Sequence, residues 1–285
     1  MYKRQLYGRF RTENLKSTNP VCVGDHVKVN ITKNQVHQIE EICDRNNYLI
    51  RKSVKLSKQY HLIASNIDVC FLIVTIKNPE TSTMFIDRFL ASTFSYNIET
   101  VLLFNKIDEI DYKDDKNLIR LMTIYKNAGY KCLSISGKKS INIDHLKKVM
   151  INKSCVFSGH SGVGKSTLIN KLDSKINIKT SPISESNLSG QHTTTFSEMY
   201  DLNFNARIID TPGIKGFGLY DVKQNELRDF FKEFTKVQNC KFNNCLHFEE
   251  PGCQVKIKVD NGTISKSRYQ NYITLLNEIN NNYRI

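Results

Sequence analysis

The sequence predicts a multidomain protein with an N-terminal all-β barrel of the OB type, a central α/β domain and a C-terminal helical module. Three observations lead to this prediction. Apolar and polar residues alternate over residues 21–29, which is typical of a half-buried strand. Residues 69–74 form a continuous apolar run, typical of a parallel strand covered on both faces. Cysteine and histidine cluster over residues 240–253, a segment with little apolar mass.

Composition points to a polyanionic partner. The chain has 285 residues, room for two or three small domains, and a formal charge of +13. RNA fits this charge best. An anionic membrane is the weaker interpretation, and a lysine-rich composition without functional meaning is the third. The longest apolar run, residues 69–76, is too short to span a bilayer, and scattered cysteines fit a reducing compartment. We expect a monomeric, cytoplasmic protein without a membrane contact.

The first predicted domain covers residues 1–62. Short β-type runs follow the first one at residues 38–42 and 48–51. Several short strands fit an OB-type barrel, whose exposed face commonly takes single-stranded nucleic acid. The basic residues of this segment are Lys3, Arg4, Arg9, Arg11, Arg51, Lys52, Lys55 and Lys58. We therefore predict an RNA-binding domain here.

The second predicted domain covers residues 63–222, where strand and helix patterns alternate. Strands are predicted at residues 69–74, 101–104, 130–135 and 155–157, and helices around residues 85–90, 118–125 and 146–150. This is the pattern of a doubly wound α/β sheet, which binds its ligand at the carboxyl ends of the strands. The third domain, residues 223–285, is predicted to hold a phenylalanine-rich helix at 230–234 and a final helix at 267–280.

A phosphate-binding loop is predicted directly after the strand at 155–157. The segment fits G-x4-G-K-S, in which glycines let backbone N–H groups cradle phosphate oxygens. Lys165 would reach the β- and γ-phosphates, Ser166 would ligate Mg²⁺, and Thr167 begins a helix whose N-terminus favours the anion. The predicted contacts are Gly159, His160, Ser161, Gly162, Val163, Gly164, Lys165, Ser166 and Thr167.

A guanine-specificity loop is predicted after the strand at 101–104, with the residues Asn105, Lys106, Ile107 and Asp108. The Asp108 carboxylate would accept hydrogen bonds from guanine N1–H and N2–H₂, which adenine lacks, each worth about 1.5–3 kcal/mol. Asn105 and Lys106 would brace the base and the loop. An ordinary polar loop is the alternative. Ser134 opens a loosely matching second base-contacting loop, for which a plain strand end is the alternative.

A sensor for Mg²⁺ and the γ-phosphate is predicted at residues 210–213. Asp210 would hold Mg²⁺ through water, and the Gly213 N–H would touch the γ-phosphate. Ile214 occupies the position where many GTPases carry a water-orienting glutamine. The catalytic group must come from another segment. His192, in the polar segment 190–195, is our candidate, with a purely structural histidine as the alternative. One of three threonines should reach Mg²⁺ or the γ-phosphate; these are Thr193, Thr194 and Thr195.

The cysteine and histidine cluster predicts one structural Zn²⁺. Its members are Cys240, Cys245, His247 and Cys253, with the spacing C-x4-C-x-H-x5-C. Three thiolates and one imidazole make a closed tetrahedral set with no open position for chemistry. Reduced cysteines beside a surface histidine are the alternative.

The order of these loops predicts a circular permutation. In an ordinary GTPase the phosphate loop comes first and the guanine loop last, whereas here the guanine loop precedes the phosphate loop. Permutation moves the termini and leaves the pocket intact, because domain termini usually lie close together at the surface.

The ordered motifs resemble the circularly permuted bacterial GTPases of small-ribosomal-subunit biogenesis, the RsgA or YjeQ family. The resemblance runs through nearly the whole chain and includes residues 64–68, 87–90, 190–195 and 250–253. It implies a central circularly permuted P-loop GTPase domain that hydrolyses GTP to GDP and phosphate. It also implies binding to the small subunit and its 16S rRNA, assistance in late maturation, and stimulation of the GTPase by the subunit.

A rival interpretation is a GTP-gated RNA-binding module that acts on another RNA, with incidental hydrolysis. GTP turnover with and without small subunits separates the two. A membrane-bound GTPase is disfavoured because the sequence shows no amphipathic anchor or lipidation motif.

Overall fold

The structure is a computed structural model of the chain. It describes residues 5–6, 19–31, 37–52, 60–111, 113–176, 197–210, 219 and 222–282. No helix within these ranges is both long and apolar enough to cross a bilayer.

The described part of the N-terminal segment is all-β, as predicted. Its strands are β1 (Gln5–Leu6), β2 (Val27–Ile31), β3 (His37–Ile42), β4 (Tyr48–Lys52) and β5 (Tyr60–Ser65). They form a three-stranded sheet in the order β1-β3-β2 and an antiparallel pair, β4 with β5. Asp25 connects distant parts of this segment through hydrogen bonds. Its carboxylate accepts two from Arg45, at 2.6 and 2.8 Å, and one from Ser65 Oγ at 2.6 Å. Since β5 ends at Ser65, it runs past the predicted domain boundary at residue 62.

The central sheet has six strands in the order β10-β11-β9-β6-β7-β8. They are β6 (Val69–Thr75), β7 (Thr100–Asn105), β8 (Lys131–Ser134), β9 (Ser154–Ser158), β10 (Glu198–Leu202) and β11 (Ala206–Asp210). Neighbours are parallel except β10 with β11. Every residue of β6 and β7 is buried, which confirms the interpretation of residues 69–74 as a strand covered on both faces.

Helices cover both faces of this sheet. They are α1 (Thr83–Ser95), α2 (Lys116–Asn127), α3 (Ile143–Met150) and α4 (Lys165–Leu172). Alternate residues of β6 point to opposite faces. Leu72 therefore packs in a core with α1 and α2, whereas Phe71 packs in a second core with α3 and α4. Side-chain caps start two of the helices: Ser82 Oγ accepts the Phe85 N–H, and Asp115 accepts the Leu118 N–H.

The C-terminal module, as described over residues 222–282, has its own core and packs on α1. Its helices are α5 (Gln224–Leu227), α6 (Lys232–Thr235), α7 (Gln254–Asp260) and α8 (Lys266–Asn282). Ala91 of α1 shares the core with Phe231, Phe234 and Tyr272. The prediction of one helix over residues 230–234 was wrong. Phe231 has an extended backbone between a 3₁₀ turn and α6, and its fully buried ring packs edge-on against Tyr272.

Candidate nucleotide and metal sites

The sheet brings the three predicted nucleotide loops to one edge. The guanine loop follows β7, the phosphate loop follows β9, and Asp210 ends β11. These strands are parallel to β6 or to each other, so their carboxyl ends meet at the same edge. The permuted order of the motifs therefore does not separate them in space.

Asn105 connects the guanine loop to the phosphate loop and to the predicted second base-contacting loop. Its Nδ2 donates to the Val163 carbonyl oxygen of the phosphate loop at 2.8 Å. Its Oδ1 accepts the Gly137 N–H of the second base-contacting loop at 3.1 Å. The side chain is buried, so both hydrogen bonds are shielded from water. Asn105 thus holds the guanine loop in register with the phosphate loop.

Gly164 passes directly over this asparagine. A Cβ atom built on Gly164 would lie 2.6 Å from Asn105 Nδ2, and the glycine has a φ of +91°. Close approach and left-handed backbone both require glycine here. The next residue, Lys165, begins α4, so the phosphate loop passes straight into a helix, which starts two residues before the predicted start at Thr167.

The Asp108 carboxylate is oriented by Ser136. Ser136 Oγ donates to Asp108 Oδ1 at 2.5 Å and accepts the Lys139 N–H at 2.9 Å. Ser134, the residue singled out from the sequence, instead ends β8, and its carbonyl accepts a hydrogen bond from Asn142 at 2.8 Å. The loop pattern was informative, but the residue that meets Asp108 lies two positions further on.

Lys106 and Ile107 anchor the guanine loop to the rest of the domain. Lys106 has a left-handed φ of 63°, and its Nζ donates to the Asn78 carbonyl oxygen in the segment between β6 and α1. Ile107 is 1% exposed and packs in the core under α1 and α2. The guanine loop is therefore anchored on both sides of its backbone.

Lys165 and Asp210 form a desolvated pair at the phosphate end of the site. Lys165 Nζ lies 3.9 Å from Asp210 Oδ1. Burial lowers the pKa of Lys165, and the Asp210 charge opposes that shift. Burial raises the pKa of Asp210, and the Lys165 charge only partly offsets this. Asp210 Oδ1 is buried and, among the described residues, accepts no hydrogen bond.

An oxygen of this kind fits Mg²⁺. The ion takes hard oxygen ligands, and an orphaned carboxylate oxygen is costly without a cation or donor. Ser166 lies in the first turn of α4, half-buried, next to Lys165. The Ser166 hydroxyl of the phosphate loop and the Asp210 carboxylate are the two oxygen ligand types that GTPases of this kind use for Mg²⁺.

A contact that the sequence did not indicate lies at the start of the phosphate loop. The rings of His160 and Phe85 stack with centroids 3.7 Å apart and an angle of 34° between their planes. Phe85 is in the first turn of α1, in a part of the chain remote from the phosphate loop in sequence. Only the fold reveals this pairing.

Three predicted site residues lie outside the described part of the chain. They are His192, Thr195 and Gly213, and Thr193 and Thr194 lie outside it as well. Their roles remain predictions.

The four predicted metal ligands converge. The Cys240, Cys245 and Cys253 Sγ atoms and a ring nitrogen of His247 lie within 4.8 Å of one another. His247 Nδ1 is 3.3 Å from Cys253 Sγ and 3.8 Å from Cys240 Sγ. Ligands about 2.0–2.3 Å from a tetrahedral Zn²⁺ are about 3.5–3.8 Å apart, so the geometry and donor set fit zinc.

The loop carrying these ligands is held by side chains of the same module. Glu250 accepts the Leu246 N–H at 2.6 Å and the Phe248 N–H at 2.9 Å. Tyr269 donates its hydroxyl to the His247 carbonyl oxygen at 2.8 Å. These contacts orient the backbone on either side of His247, in the manner of outer-shell support for a metal ligand.

Comparison with known proteins agrees with this arrangement. Residues 42–220 match the model of the RsgA GTPase family. The Christiangramia forsetii protein named Small ribosomal subunit biogenesis GTPase RsgA is 49% identical, covering 100% of this chain and 91% of that protein. The Flavobacterium johnsoniae protein of the same name is 50% identical, covering 98% and 87%.

Solved structures give the same result. The crystal structure of YjeQ from Thermotoga maritima superposes with a TM-score of 0.78 at 34% identity, covering 97% of this chain and 89% of that one. YloQ, described as a circularly permuted GTPase, superposes with a TM-score of 0.74 at 25% identity, covering 98% and 86%. These matches cover nearly the whole chain. The chain belongs to the RsgA family of circularly permuted GTPases.

Proposed function

We propose that this GTPase binds the small ribosomal subunit and its 16S rRNA and assists late maturation of the subunit, with GTP hydrolysis stimulated by the subunit. The supporting observation is that relatives sharing about half of its residues over nearly their full length carry the name of small ribosomal subunit biogenesis GTPases. The charge of +13 suits an rRNA partner.

The nucleotide site divides into a base end and a phosphate end. Asp108, oriented by Ser136, selects guanine, while Asn105 keeps the base and phosphate loops together. At the other end the backbone of residues 159–167 cradles the phosphates and Lys165 neutralises their charge. Thr195 and Gly213 complete the γ-phosphate contacts in this proposal, and Ser134 supports the base loop from the end of β8.

Ser166 and Asp210 would hold Mg²⁺. When bound, the ion neutralises charge on the β- and γ-phosphate oxygens. The Lys165 ammonium, 3.9 Å from the Asp210 carboxylate, would add its positive charge at the same end of the pocket. His192 is the proposed group that orients or deprotonates the attacking water, because Ile214 cannot.

The flanking domains would contact RNA. The proposal assigns residues 1–62 to an OB-type RNA-binding domain, 63–222 to the GTPase domain and 223–285 to the zinc module. Cys240, Cys245, His247 and Cys253 hold one structural Zn²⁺ in that module. We propose a monomer that acts in the cytoplasm, where its ribosomal partner and a reducing milieu occur together.

The test is GTP turnover by the purified protein alone and with purified small subunits. Stimulation by small subunits and by no other RNA supports the proposal. Large subunits and an unrelated structured RNA of similar length are the controls. Equal stimulation by every RNA would favour a GTP-gated module acting on another RNA, and no stimulation by any would contradict the proposed partner.

A further inference from the structure

Helix α1 is held on two sides by two functional units of the protein. Phe85, in its first turn, stacks on His160 of the phosphate loop with ring centroids 3.7 Å apart. Asp87, two residues later, accepts a hydrogen bond from Arg268 of α8 at 2.6 Å. Residues two apart on an α-helix point about 200° apart around its axis. The helix therefore lies between the phosphate loop and the C-terminal module.

The contact between α1 and the C-terminal module is buried and geometrically specific. Arg268 is 1% exposed. Its guanidinium forms a bidentate salt bridge with Glu233, with hydrogen bonds of 2.7 and 2.8 Å, and also donates to Asp87. Its guanidinium also lies over the Phe231 ring, 4.7 Å from the centroid. A desolvated, fork-shaped pair of this kind tolerates few alternative orientations. The module therefore packs on α1 in one defined orientation.

Asp87 is held from both domains. Its Oδ1 accepts the Tyr125 hydroxyl of α2 at 2.9 Å as well as Arg268, and its Oδ2 accepts the Asn271 amide of α8 at 2.6 Å. The carboxylate is thus the point where the α1–α2 layer and α8 share one hydrogen-bond network. Any shift or rotation of α1 must move this network.

We propose that α1 couples the nucleotide state of the phosphate loop to the C-terminal module, with Phe85 as the positioning residue that receives the signal through His160 and Asp87 as the residue that passes it to Arg268. A γ-phosphate fixes the loop that carries His160. The stack then fixes the start of α1, and the Asp87 network tightens α8. This route is separate from the covalent connection through residues 211–221.

Amide hydrogen–deuterium exchange on the full-length protein tests the coupling without any ribosomal partner. Exchange reports local opening, so tighter docking slows it. We expect α8 amides, residues 268–279, to exchange more slowly with a non-hydrolysable GTP analogue than with GDP. The ratio of the α8 exchange rate with GDP to that with the GTP analogue measures the coupling. Allosteric couplings commonly amount to about 5–150-fold, and this exchange ratio should fall in that range. Equal α8 exchange in the two wild-type states would overturn the proposal.

Phe85→Leu keeps an apolar side chain but removes the ring that packs on His160. With both nucleotides at saturating concentration, checked by fluorescent-nucleotide titration, the ratio should fall to within about twofold of one. Ser95→Ala is the matched control, because the Ser95 hydroxyl, in the last turn of the same helix, donates to the Ser92 carbonyl oxygen of that helix at 2.8 Å. That variant should keep the wild-type ratio. A Phe85→Leu protein with the wild-type ratio would show that the signal takes another route.

Tyr125→Phe tests the same contacts at the Asp87 network, away from the phosphate loop. It removes one donor to Asp87 and retains the ring, so the nucleotide site is untouched. The ratio in α8 should fall below that of the wild type while nucleotide affinity stays constant. An unchanged ratio would overturn the role of Asp87 even if Phe85→Leu proved unable to bind nucleotide. Because subunits are absent, neither result depends on the proposed ribosomal function.

Discussion

Asn105 donates a hydrogen bond from its side-chain amide to the carbonyl oxygen of Val163, 58 residues further along the chain, at 2.8 Å. The bond joins the loop that would read the base to the loop that would hold the phosphates. In the permuted chain the two loops belong to strands β7 and β9, with β6 between them in the sheet. The pocket therefore depends on one buried amide that bridges across β6.

Gly164→Ala should weaken nucleotide binding by about tenfold or more, because disturbing a buried hydrogen bond costs about 1–3 kcal/mol. The added Cβ would lie 2.6 Å from Asn105 Nδ2, so the bridging amide must move. Gly262→Ala is the control, because it has a similar φ of +78° but nothing within 4 Å of the added atom. Both variants share the backbone strain of about 1 kcal/mol or more. Titration with a fluorescent guanine nucleotide should separate them, and equal affinities would contradict the bridging role.

Asp108→Asn should change the preferred base from guanine to xanthine. The substitution turns an acceptor into a donor at the position facing N1 and N2 of the base, which weakens GTP by about 10²-fold or more. Ser136→Ala should give a smaller loss in the same direction, because it removes only the hydrogen bond that orients the carboxylate. Competition among GTP, XTP and ATP measures both. Tight ATP binding by the wild type would rule out the assignment of the guanine loop.

Asp210→Asn should stabilise the nucleotide-free protein while removing its response to Mg²⁺. Burial raises the pKa of Asp210, so its ionised form is less favourable in the folded than in the unfolded chain. This cost is absent below the ordinary pKa of 3.8 and grows as pH rises through the folded-state pKa. The gain in unfolding free energy should therefore be present at pH 7 and vanish below pH 3.8. Denaturant unfolding at several pH values measures it.

The expected loss in the same variant is functional. GTP turnover should fall and should no longer depend on Mg²⁺ concentration, because a neutral amide replaces the carboxylate whose unpaired oxygen fits the cation. A destabilised Asp210→Asn protein that keeps its Mg²⁺ dependence would contradict both halves of this prediction.

One zinc ion per chain should be needed for folding of the C-terminal module. Structural zinc contributes apparent free energies of about 10–16 kcal/mol in small modules. Cys240→Ser should lose the metal and the ordered signals of α7 and α8, whereas Cys43→Ser, at a similarly half-buried cysteine outside the cluster, should keep both. Elemental analysis and NMR of the two variants are the measurements. A metal-free wild type with an ordered module would refute the site.

His192→Ala should reduce turnover far more than nucleotide affinity. Loss of one transition-state contact typically lowers kcat by about 10²-fold or more. The measurement is single-turnover GTP hydrolysis with small subunits present, alongside nucleotide affinity. His160→Ala is the comparison, since that histidine stacks on Phe85 and should change affinity or coupling rather than the chemical step. Unchanged turnover in His192→Ala would assign the catalytic group elsewhere.

Local patterns were sufficient for much of the fold and the sites. The run at residues 69–74 is a buried strand, and the four cysteine and histidine ligands meet, because neighbouring residues alone dictate these features. The same local rules failed at Phe231, where a buried ring breaks a segment predicted as one helix. They identified the loop at residues 134–137 but not that Ser136 is the serine that contacts Asp108, because a loop of given composition can turn in more than one way. The predicted role of Ser134 stays a prediction.

The sequence by itself determined the motif order, the ligand types and the strand and helix periods, since each is set by residues close together in the chain. Only the tertiary structure decided that Asn105 meets Val163, that Phe85 meets His160, and that Arg268 meets Asp87 across 181 residues. The physical reason is that such pairs form when strand order and helix packing bring distant segments together. A contact of this kind leaves no periodic or local signal in either partner's own sequence.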